Sequence, residues 1–474
     1  MHNCIDLTKG PVMRHVWRMT PPMAIAFMAM MAFNLADTWF VSRLGTAPLA
    51  AMGFTFPIVM IVHSIAMGIG IGVSSCVSRA IGSQDHHRVQ HLTTYSLVLT
   101  FVMMSVLTAF GFMLLSKLLT LLGAQGSTLQ LAKTYMWTWL IFVPLSELPL
   151  VGNNAIRATG DTLRPSIIMS VAALMNVALD PLLIFGWGPV PAMGMRGAAL
   201  ATGLSRLLSL VWAMWLMQYR CHLLTSNWTG LRDMLRTWGS ILHIALPSAA
   251  TGMLMPLSMG IVTRFIAGYG EIAVAATAAG QRIEQFTYLV PMAMGATLVP
   301  IIGQNWGAGR VDRVREVWVK TNWYGVTYGV ACLLLALPLA MPVAQCFSND
   351  PFVTHLISRY LRIILLGSIV IHSFVHTGFA FNAIQRPLSA SLLIIIRFAG
   401  LVIPLAWLGR RWFGLDGVYW GITIASVGSG TIALLWFSST IRRVMKRSPL
   451  PISDSDQTDP QPIAPPSANR SLQR

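Results

Sequence analysis

AMGIGIGVSSCVSRAIGSQD at residues 66–85 and AMGATLVPIIGQNWGAGRVD at residues 293–312 are the two segments that decide the fold of this chain. Both start at Ala-Met-Gly, continue through apolar or small residues and end in a Gly-x-x-Asp turn. Two further landmarks recur in the same order and at a similar interval: SRLGTAPLAAMG (42–53) matches IAGYGEIAVAATAAG (266–280), and residues 154–165 match residues 382–387. Chance similarity between apolar helices would not preserve these turns, so the sequence predicts duplication of one structural unit.

The composition predicts that lipid surrounds most of the chain. Of the 474 residues, 55% are hydrophobic and only 10% are charged, against about 25% charged residues in soluble domains. Apolar runs of about 20 residues, the length that crosses a bilayer as a helix, recur along the chain. We therefore predict an all-α integral membrane protein with twelve transmembrane helices, at about 17–41, 50–78, 93–116, 132–156, 165–187, 196–217, 238–267, 275–302, 318–345, 357–383, 387–409 and 415–440.

Each repeated unit holds six of these spans. Six is an even number, so the two halves have the same orientation in the membrane. They are predicted to form two pseudo-symmetric six-helix lobes, related by an axis along the membrane normal, with a cavity between them.

Basic residues set the predicted orientation. The net charge of +17 is spread over short loops rather than gathered in one patch, so no nucleic-acid partner is expected. Arginines and lysines concentrate at the N-terminus, in the loops after even-numbered spans and at the C-terminal end, with Arg410 and Arg411 as the main exception. The positive-inside rule then predicts that both termini are cytoplasmic. The expected location is the plasma membrane, which is the inner membrane in a Gram-negative cell.

The predicted domains follow from the spans. A cytoplasmic N-terminus (1–16) precedes the N-lobe (17–217), and a cytoplasmic linker (218–237) leads to the C-lobe (238–445). A Pro- and Ser-rich tail (446–474) is predicted to be disordered and cytoplasmic. The protein is expected to function as a monomer in the bilayer. Its five cysteines are scattered without metal-ligand spacing, so neither a metal site nor a cofactor is expected.

Acidic side chains inside the spans are the first candidates for function, because a charge at the bilayer centre costs at least about 2.5–3.5 kcal/mol. The clearest are Asp37 in the first span and Asp180 in the fifth. Asn176 lies four residues before Asp180 and Asn34 lies three before Asp37, so each amide shares a helix face with its acid. Thr202 in the sixth span can add a hydroxyl.

These side chains are predicted to form an oxygen-rich site inside the N-lobe. Oxygen ligands suit hard cations, so the expected coupling ion is H⁺ or Na⁺. An alternative stays open for each acid, since Asp37 and Asp180 both lie near a span end and could face water there.

Three further intramembrane residues are weaker candidates. Glu284 and Arg282, both in the eighth span, are possible cavity-lining residues. Pro22, next to Pro21, either begins the first helix or kinks it about four turns before Asp37.

Several stretches together resemble the multidrug and toxic compound extrusion (MATE) family of ion-coupled efflux transporters. They are DTWFVSRLGTAPLAAMG (37–53), RATGDTLRP (157–165), NVALDPLLIFG (176–186), GMRGAALATGLSR (194–206) and VPIIGQNWGAGRVDRVR (299–315). The resemblance covers roughly residues 10–445. It implies a multidrug antiporter that exports small, lipophilic or cationic organic compounds by alternating access, with helix 1 bending at its prolines.

The resemblance also assigns roles to residues. Asp37, Asn176, Asp180 and Thr202 match the N-lobe cation site of the DinF-type branch, whereas Asn34 is added from its spacing alone. The NorM-type branch uses acids in spans seven and ten, and those spans hold no interior Asp or Glu here. The chain therefore looks like the DinF-type branch, with coupling confined to the N-lobe.

Alternative functions remain. A flippase of a lipid-linked precursor would resemble this fold but tends to line its cavity with several arginines, which are few here. A dedicated metabolite exporter is the other alternative. An enzyme is not expected, because the chain lacks clustered Asp pairs for metal-diphosphate chemistry and a Walker-type motif for ATP.

Overall fold

The computed structural model describes residues 5–348 and 350–447. The predicted disordered tail at 446–474 therefore lies outside the described residues, apart from its first two positions.

The N-lobe consists of six helical segments joined by short turns. They are α1 (Val12–Ser42), α2 (Thr46–Gly82), α3 (His86–Leu121), α4 (Gly126–Ser146 continuing as Leu148–Ala158), α5 (Leu163–Ile184) and α6 (Met195–Trp215 ending in the π-helical turn Leu216–Arg220).

The C-lobe repeats the same order, with more breaks within its helices. It consists of α7 (Leu231–Gly252 and Leu254–Ala267), α8 (Glu271–Thr287 and Leu289–Gly307), α9 (Val311–Gln345), α10 (Pro351–Ile364 and Ser368–Ala383), α11 (Pro387–Ile395, the π-helical segment Ile396–Val402 and the start of Ile403–Arg447) and α12 (the rest of Ile403–Arg447). The chain turns from α11 into α12 at Gly414, whose φ of 64° ends the first helix.

The predicted number of spans is consistent with these helices. Among the described residues nine helices are long and apolar enough to cross a membrane, and the bent pair in α8 makes ten. That count treats α11 and α12 as one helix and leaves out α4, which is divided at Glu147. Separating α11 from α12 at Gly414 and including α4 gives the twelve helices of a two-lobe fold.

Several helices extend beyond the predicted spans. Helix α1 begins at Val12 rather than residue 17, and α7 begins at Leu231 within the predicted linker. The 37 residues of α2 rise about 55 Å, whereas the hydrocarbon core is about 30 Å thick. Helices therefore continue into the water on leaving the bilayer, where hydropathy no longer marks them. Helix α5 instead ends at Ile184, before its predicted end at residue 187.

Backbone turns with positive φ repeat between the lobes and confirm the predicted duplication. Three pairs are separated by one and the same interval along the chain: Gly45 with Gly270, Gln84 with Gly309, and Gly160 with Gln385. This interval, which we name the structural repeat, is slightly shorter than the one between the two Ala-Met-Gly segments. Because the interval is the same at both ends of α2 and α8, the two Ala-Met-Gly segments lie slightly out of structural register with each other.

The turn before the last helix of each lobe gives a fourth pair. Gly194 and Gly414 take nearly the same conformation before α6 and α12, with φ of 52° and 64° and ψ of −127° and −140°. The last helix of each lobe thus begins after the same backbone turn, although the loops before the two turns differ in length.

The lobes meet on one side of the molecule, which we name the basic face. It carries the N-terminal segment, the loops after α2, α4, α6, α8 and α10, and the end of α12. Ser75 Oγ donates to the carbonyl of Asn382 (2.7 Å), Gln304 Nε2 donates to the carbonyl of Ala158 (2.8 Å), and Arg79 donates to Gln385 Oε1. The hydrogen bonds that the described residues make between the lobes lie near this face.

Glycines allow the close approach of α2 and α8 at the basic face. A Cβ on Gly82 would overlap the backbone carbonyl of Gln304, and a Cβ on Gly303 would overlap the side chain of Ser78. Backbone atoms in a helix have little freedom to move aside, so Gly82 is the stricter requirement.

We predict that Gly82→Ala separates the lobes at the basic face, because the added methyl group collides with main chain. Spin labels at positions 88 and 315, in a background without the native cysteines, would measure this as a longer distance in pulsed EPR. Gly53→Ala is the matched control on the same helix, since a Cβ there meets nothing within 4 Å. An unchanged distance distribution in Gly82→Ala would contradict the assigned contact.

Candidate cation site

Four of the five side chains predicted for cation coupling come together inside the N-lobe. Asp37 lies on α1, Asn176 and Asp180 on α5, and Thr202 on α6. The exposed fractions of Asp180 and Asp37 are 0% and 6%. Both carboxyl groups are therefore buried between helices, and neither is a water-exposed helix end.

Asn176 connects α5 to α6. With its amide oriented to suit both neighbours, its nitrogen donates to Asp180 Oδ2 (3.0 Å) and its oxygen accepts from the Thr202 hydroxyl (3.2 Å) and backbone amide (3.1 Å). The four-residue spacing of Asn176 and Asp180 on α5 makes the first contact possible. The amide thus fixes one carboxylate oxygen and leaves the other available.

Two carboxylate oxygens in this cluster lack a hydrogen-bond partner among the described residues. They are Asp37 Oδ1 and Asp180 Oδ1, both fully enclosed. The two acids are close enough to interact electrostatically. A buried acceptor without a donor costs about 1–3 kcal/mol, and more when it is charged, so these oxygens suit a bound proton or a small cation.

Asn34 does not lie with these residues. Its side chain is exposed and donates to the carbonyl of Met30, one turn earlier on α1 (2.9 Å). Three residues of helix turn the side chain by about 300°, leaving it about 60° from Asp37 around the axis. At this position that angle is enough to move Asn34 out of the lobe interior.

Tyr135 on α4 is part of the site but was not predicted. It is buried, and its side chain lies within electrostatic range of Asp37, Asp180 and Arg206. The sequence of a hydrophobic span does not indicate which of its tyrosines faces an acid on another helix. The repeat provides the only sequence signal, because Tyr135 and Tyr360 are separated by the interval of the structural repeat.

An ion pair between a buried carboxylate and a partly exposed arginine adjoins the acids. Arg206, one turn after Thr202 on α6, donates to Glu147 Oε1 (3.0 Å). His63 on α2 approaches the other oxygen of Glu147, with 3.6 Å between Nδ1 and Oε2. Glu147 is 2% exposed and stands at the break between the two parts of α4. Because Glu147 pairs with Arg206, that guanidinium is not free to pair with Asp37 or Asp180.

The C-lobe contains a different polar cluster around Glu284. Tyr360 on α10 donates to Glu284 Oε2 (2.5 Å), and Tyr288 lies beside both Glu284 and Arg397. Arg397 donates to Ser429 (3.1 Å) and is 6% exposed. Arg282 is exposed and lies outside this cluster, as expected for residues two apart on a helix.

The two clusters share a tyrosine position but differ in charge. Tyr135 stands beside two acids, whereas Tyr360, its equivalent in the repeat, stands beside one acid that an arginine offsets. Among the described residues, the interiors of α7, α10 and α11 contain no Asp or Glu that could add a second carboxylate to the C-lobe cluster. Among the residues that the structure describes, a pair of neighbouring carboxylates is therefore found in the N-lobe cluster and not in its C-lobe counterpart.

Pro21 and Pro22 lie inside α1, which begins well before them, at Val12. The alternative that they begin the helix is therefore wrong. Each proline lacks a backbone N–H, so the carbonyls one turn earlier, those of Trp17 and Arg18, lose their helical donors. This is a weak point in the hydrogen bonding of α1, about four turns from Asp37.

Comparison with known proteins gives a consistent picture. The profile of the family described as MatE matches residues 22–182 and 247–408, two stretches whose first residues are separated by the interval of the structural repeat. The chain is 36% identical to a protein of Shewanella oneidensis named "FAD transporter", over 93% of this chain and 97% of that protein. It is 23% identical to "Multidrug export protein MepA" of Staphylococcus saprophyticus, over 90% and 94% of the two chains.

A solved structure shows the same fold. The Vibrio cholerae MATE transporter VcmN in the bent form superposes with a TM-score of 0.86 at 27% identity, covering 91% of this chain and 97% of that one.

We predict that Arg206→Gln destabilises the protein by about 3 kcal/mol, because it leaves the buried carboxylate of Glu147 without its main partner. Adding Glu147→Gln should restore most of the loss, since an amide carries no uncompensated charge. Thermal unfolding in detergent micelles measures both variants. Equal destabilisation by the single and the double variant would show that the ion pair does not act as a unit.

Proposed function

Because this chain belongs to the MatE family of membrane transporters, we propose that it exports small organic compounds in exchange for H⁺ or Na⁺ by alternating access. One observation carries the coupling half of this proposal: Asp37 and Asp180 are buried side by side with unpartnered oxygens. A fixed structural role would be expected to satisfy such oxygens with protein donors.

The chemistry of the cluster supports a cation as the exchanged ion. Two carboxylates, the Asn176 amide and the Thr202 hydroxyl provide oxygen donors, which hard cations prefer. The nearest guanidinium, that of Arg206, is held by Glu147. A proton or Na⁺ entering the site therefore meets net negative charge, and its departure restores repulsion between the two acids.

The contacts between the lobes support a direction of access. If the basic face is cytoplasmic, as its charge predicts, the structure is closed toward the cytoplasm and the acids lie near its outer side. Cation binding at Asp37 would then act on α1, whose backbone is weakened at Pro21 and Pro22. A bend at Pro22 is the proposed link between the cation and the substrate cavity.

The available driving force is sufficient for export. One charge moving through about 100 mV yields about 2.3 kcal/mol. At about 1.4 kcal/mol for each tenfold ratio, this sustains roughly a fifty-fold gradient of a neutral compound.

Two substrate classes compete. Lipophilic or cationic compounds are favoured by the resemblance to multidrug exporters, with Glu284 and Arg282 proposed to line the cavity. A dedicated metabolite is favoured by the 36% identity to a protein named "FAD transporter", which exceeds the 23% identity to MepA. A nucleotide cofactor is anionic, so it would need cationic groups such as Arg397, whereas a cationic drug would need Glu284.

We predict that Asp37→Asn and Asp180→Asn each abolish ion-driven transport while the protein still folds, because an amide cannot take up or release a proton. Proteoliposomes with an imposed pH gradient and then an imposed Na⁺ gradient, loaded with substrate, measure the loss and identify the ion. Asn34→Ala is the matched control and should transport like wild type, since Asn34 lies outside the cluster. Full transport in Asp37→Asn would refute the assignment.

We predict that comparing transport of an anionic nucleotide cofactor with transport of a lipophilic cation distinguishes the two substrate classes. The same proteoliposomes would be given FAD and a fluorescent lipophilic cation under the driving gradient. Glu284→Gln should lower transport of the cation at least tenfold, about 1.4 kcal/mol, and spare that of FAD. Transport of FAD alone would establish a dedicated metabolite carrier and remove the multidrug proposal, and transport of neither would contradict both.

A further inference from the structure

A cavity of about 320 Å³ opens at the basic face between the start of α11 and the last turns of α12. It is separate from the cation site and from the cluster around Glu284. Its lining is Arg386, Trp436, Ser439, Thr440, Arg443 and Val444. The cavity thus combines two guanidinium groups, two hydroxyls and an indole, with no carboxylate among the lining residues.

The electrostatics of this cavity favour an anion. Arg386 and Arg443 are both exposed, and the structure gives neither an ion pair among the described residues. Arg386 also precedes the first turn of α11, so the positive end of that helix dipole lies beside it. Guanidinium groups bind phosphate oxygens through paired hydrogen bonds. The cavity is therefore suited to a phosphate group.

The position of the cavity favours a phosphate that belongs to a lipid. The helix from Gly414 to Arg443 rises about 43 Å along α12. That distance exceeds the hydrocarbon thickness of about 30 Å and places Arg443 at headgroup level. Leu388, two residues after Arg386 on α11, and Leu435, next to Trp436 on α12, are 62% and 67% exposed. They offer apolar surface to acyl chains next to a tryptophan, a residue typical of the membrane interface.

The repeat places a related cavity in the N-lobe, and the comparison strengthens the assignment. That cavity, of about 260 Å³, lies between α5 and α6 and is lined by Arg164, Ile167, Trp212, Trp215, Leu216 and Arg220. Arg164 precedes Pro165 as Arg386 precedes Pro387. There, however, Arg164 pairs with Asp161 (3.1 Å). The N-lobe cavity is therefore already partly neutralised, and the C-lobe cavity is the one left with uncompensated positive charge.

We propose that the cavity between α11 and α12 binds the headgroup of an anionic phospholipid through Arg386 and Arg443. The neighbouring residue Gln385 accepts a hydrogen bond from Arg79 across the lobes. A headgroup held by Arg386 would therefore hold the loop between α10 and α11 in place, and this loop contacts the N-lobe at the basic face.

The test measures lipid binding to the purified full-length protein by native mass spectrometry, with phosphatidylglycerol, phosphatidylcholine and soluble glycerol 3-phosphate as probes. Wild type should retain phosphatidylglycerol in preference to phosphatidylcholine. Arg386→Gln/Arg443→Gln should weaken phosphatidylglycerol binding about tenfold or more, since each basic group near the surface contributes about one kcal/mol of attraction, some fivefold in affinity.

Arg442→Gln/Lys446→Gln is the matched control, because it removes two charges from the same end of α12 without changing the cavity lining. This control should bind like wild type. Equal loss in both double variants would reduce the effect to general surface charge and overturn the proposal. Equal binding of glycerol 3-phosphate and phosphatidylglycerol would replace the lipid by a free phosphate ester. Should the Gln variant fail to fold, Arg386→Ala alone, compared with Arg442→Ala, gives the same decision.

Discussion

The burial of two carboxyl groups next to each other in a lipid-embedded lobe is the constraint around which the site is arranged. A charge in the membrane interior is costly, and two like charges together are costlier still. The surrounding side chains reduce this cost only in part. Asn176 supplies one donor to Asp180, and the nearby guanidinium of Arg206 is already engaged by Glu147. The site is therefore kept receptive to positive charge by the way its neighbours are paired among themselves.

The C-lobe shows what a satisfied version of such a cluster looks like. At the position equivalent to Tyr135, Tyr360 donates to Glu284, and Arg397 offsets the charge of that carboxylate through Tyr288. The same backbone thus supports a charge-balanced cluster in one lobe and an acidic one in the other. Under the proposed function, this difference would give the lobes different tasks, ion exchange in the N-lobe and substrate contact in the C-lobe.

Much of the fold was predictable from the sequence because hydropathy and turn chemistry are local. The twelve spans and the duplication follow from apolar run length and from glycines at recurring turns, such as Gly45 and Gly270. The pairing of Asn176 with Asp180 was also local, since four residues make about one helical turn. Asn34 shows the limit of that reasoning, because a modest difference in direction around the helix axis decides whether a side chain faces the lobe interior or points away from it.

The remaining features depend on which helices become neighbours. Arg206 and Glu147 are far apart in the chain, and neither carries a local sign of the other. The breaks within α4, α7 and α8 do have a local sign, because Pro149, Pro256 and Pro291 follow them by two or three residues. The break within α10 has no such proline. Tyr135 has one signal in the sequence, its repeat partner Tyr360 at the structural interval.

The even number of helices in each lobe has an evolutionary consequence. Because both lobes enter the bilayer in the same direction, the backbone of one half could form this architecture as a homodimer of parallel subunits. Such a dimer would carry every acidic group twice, once in each subunit. Fusion of the halves into one polypeptide removes that symmetry requirement. A fused chain is free to keep the pair of carboxylates in one lobe only, and under the proposed function this would halve the number of ions moved in each transport cycle.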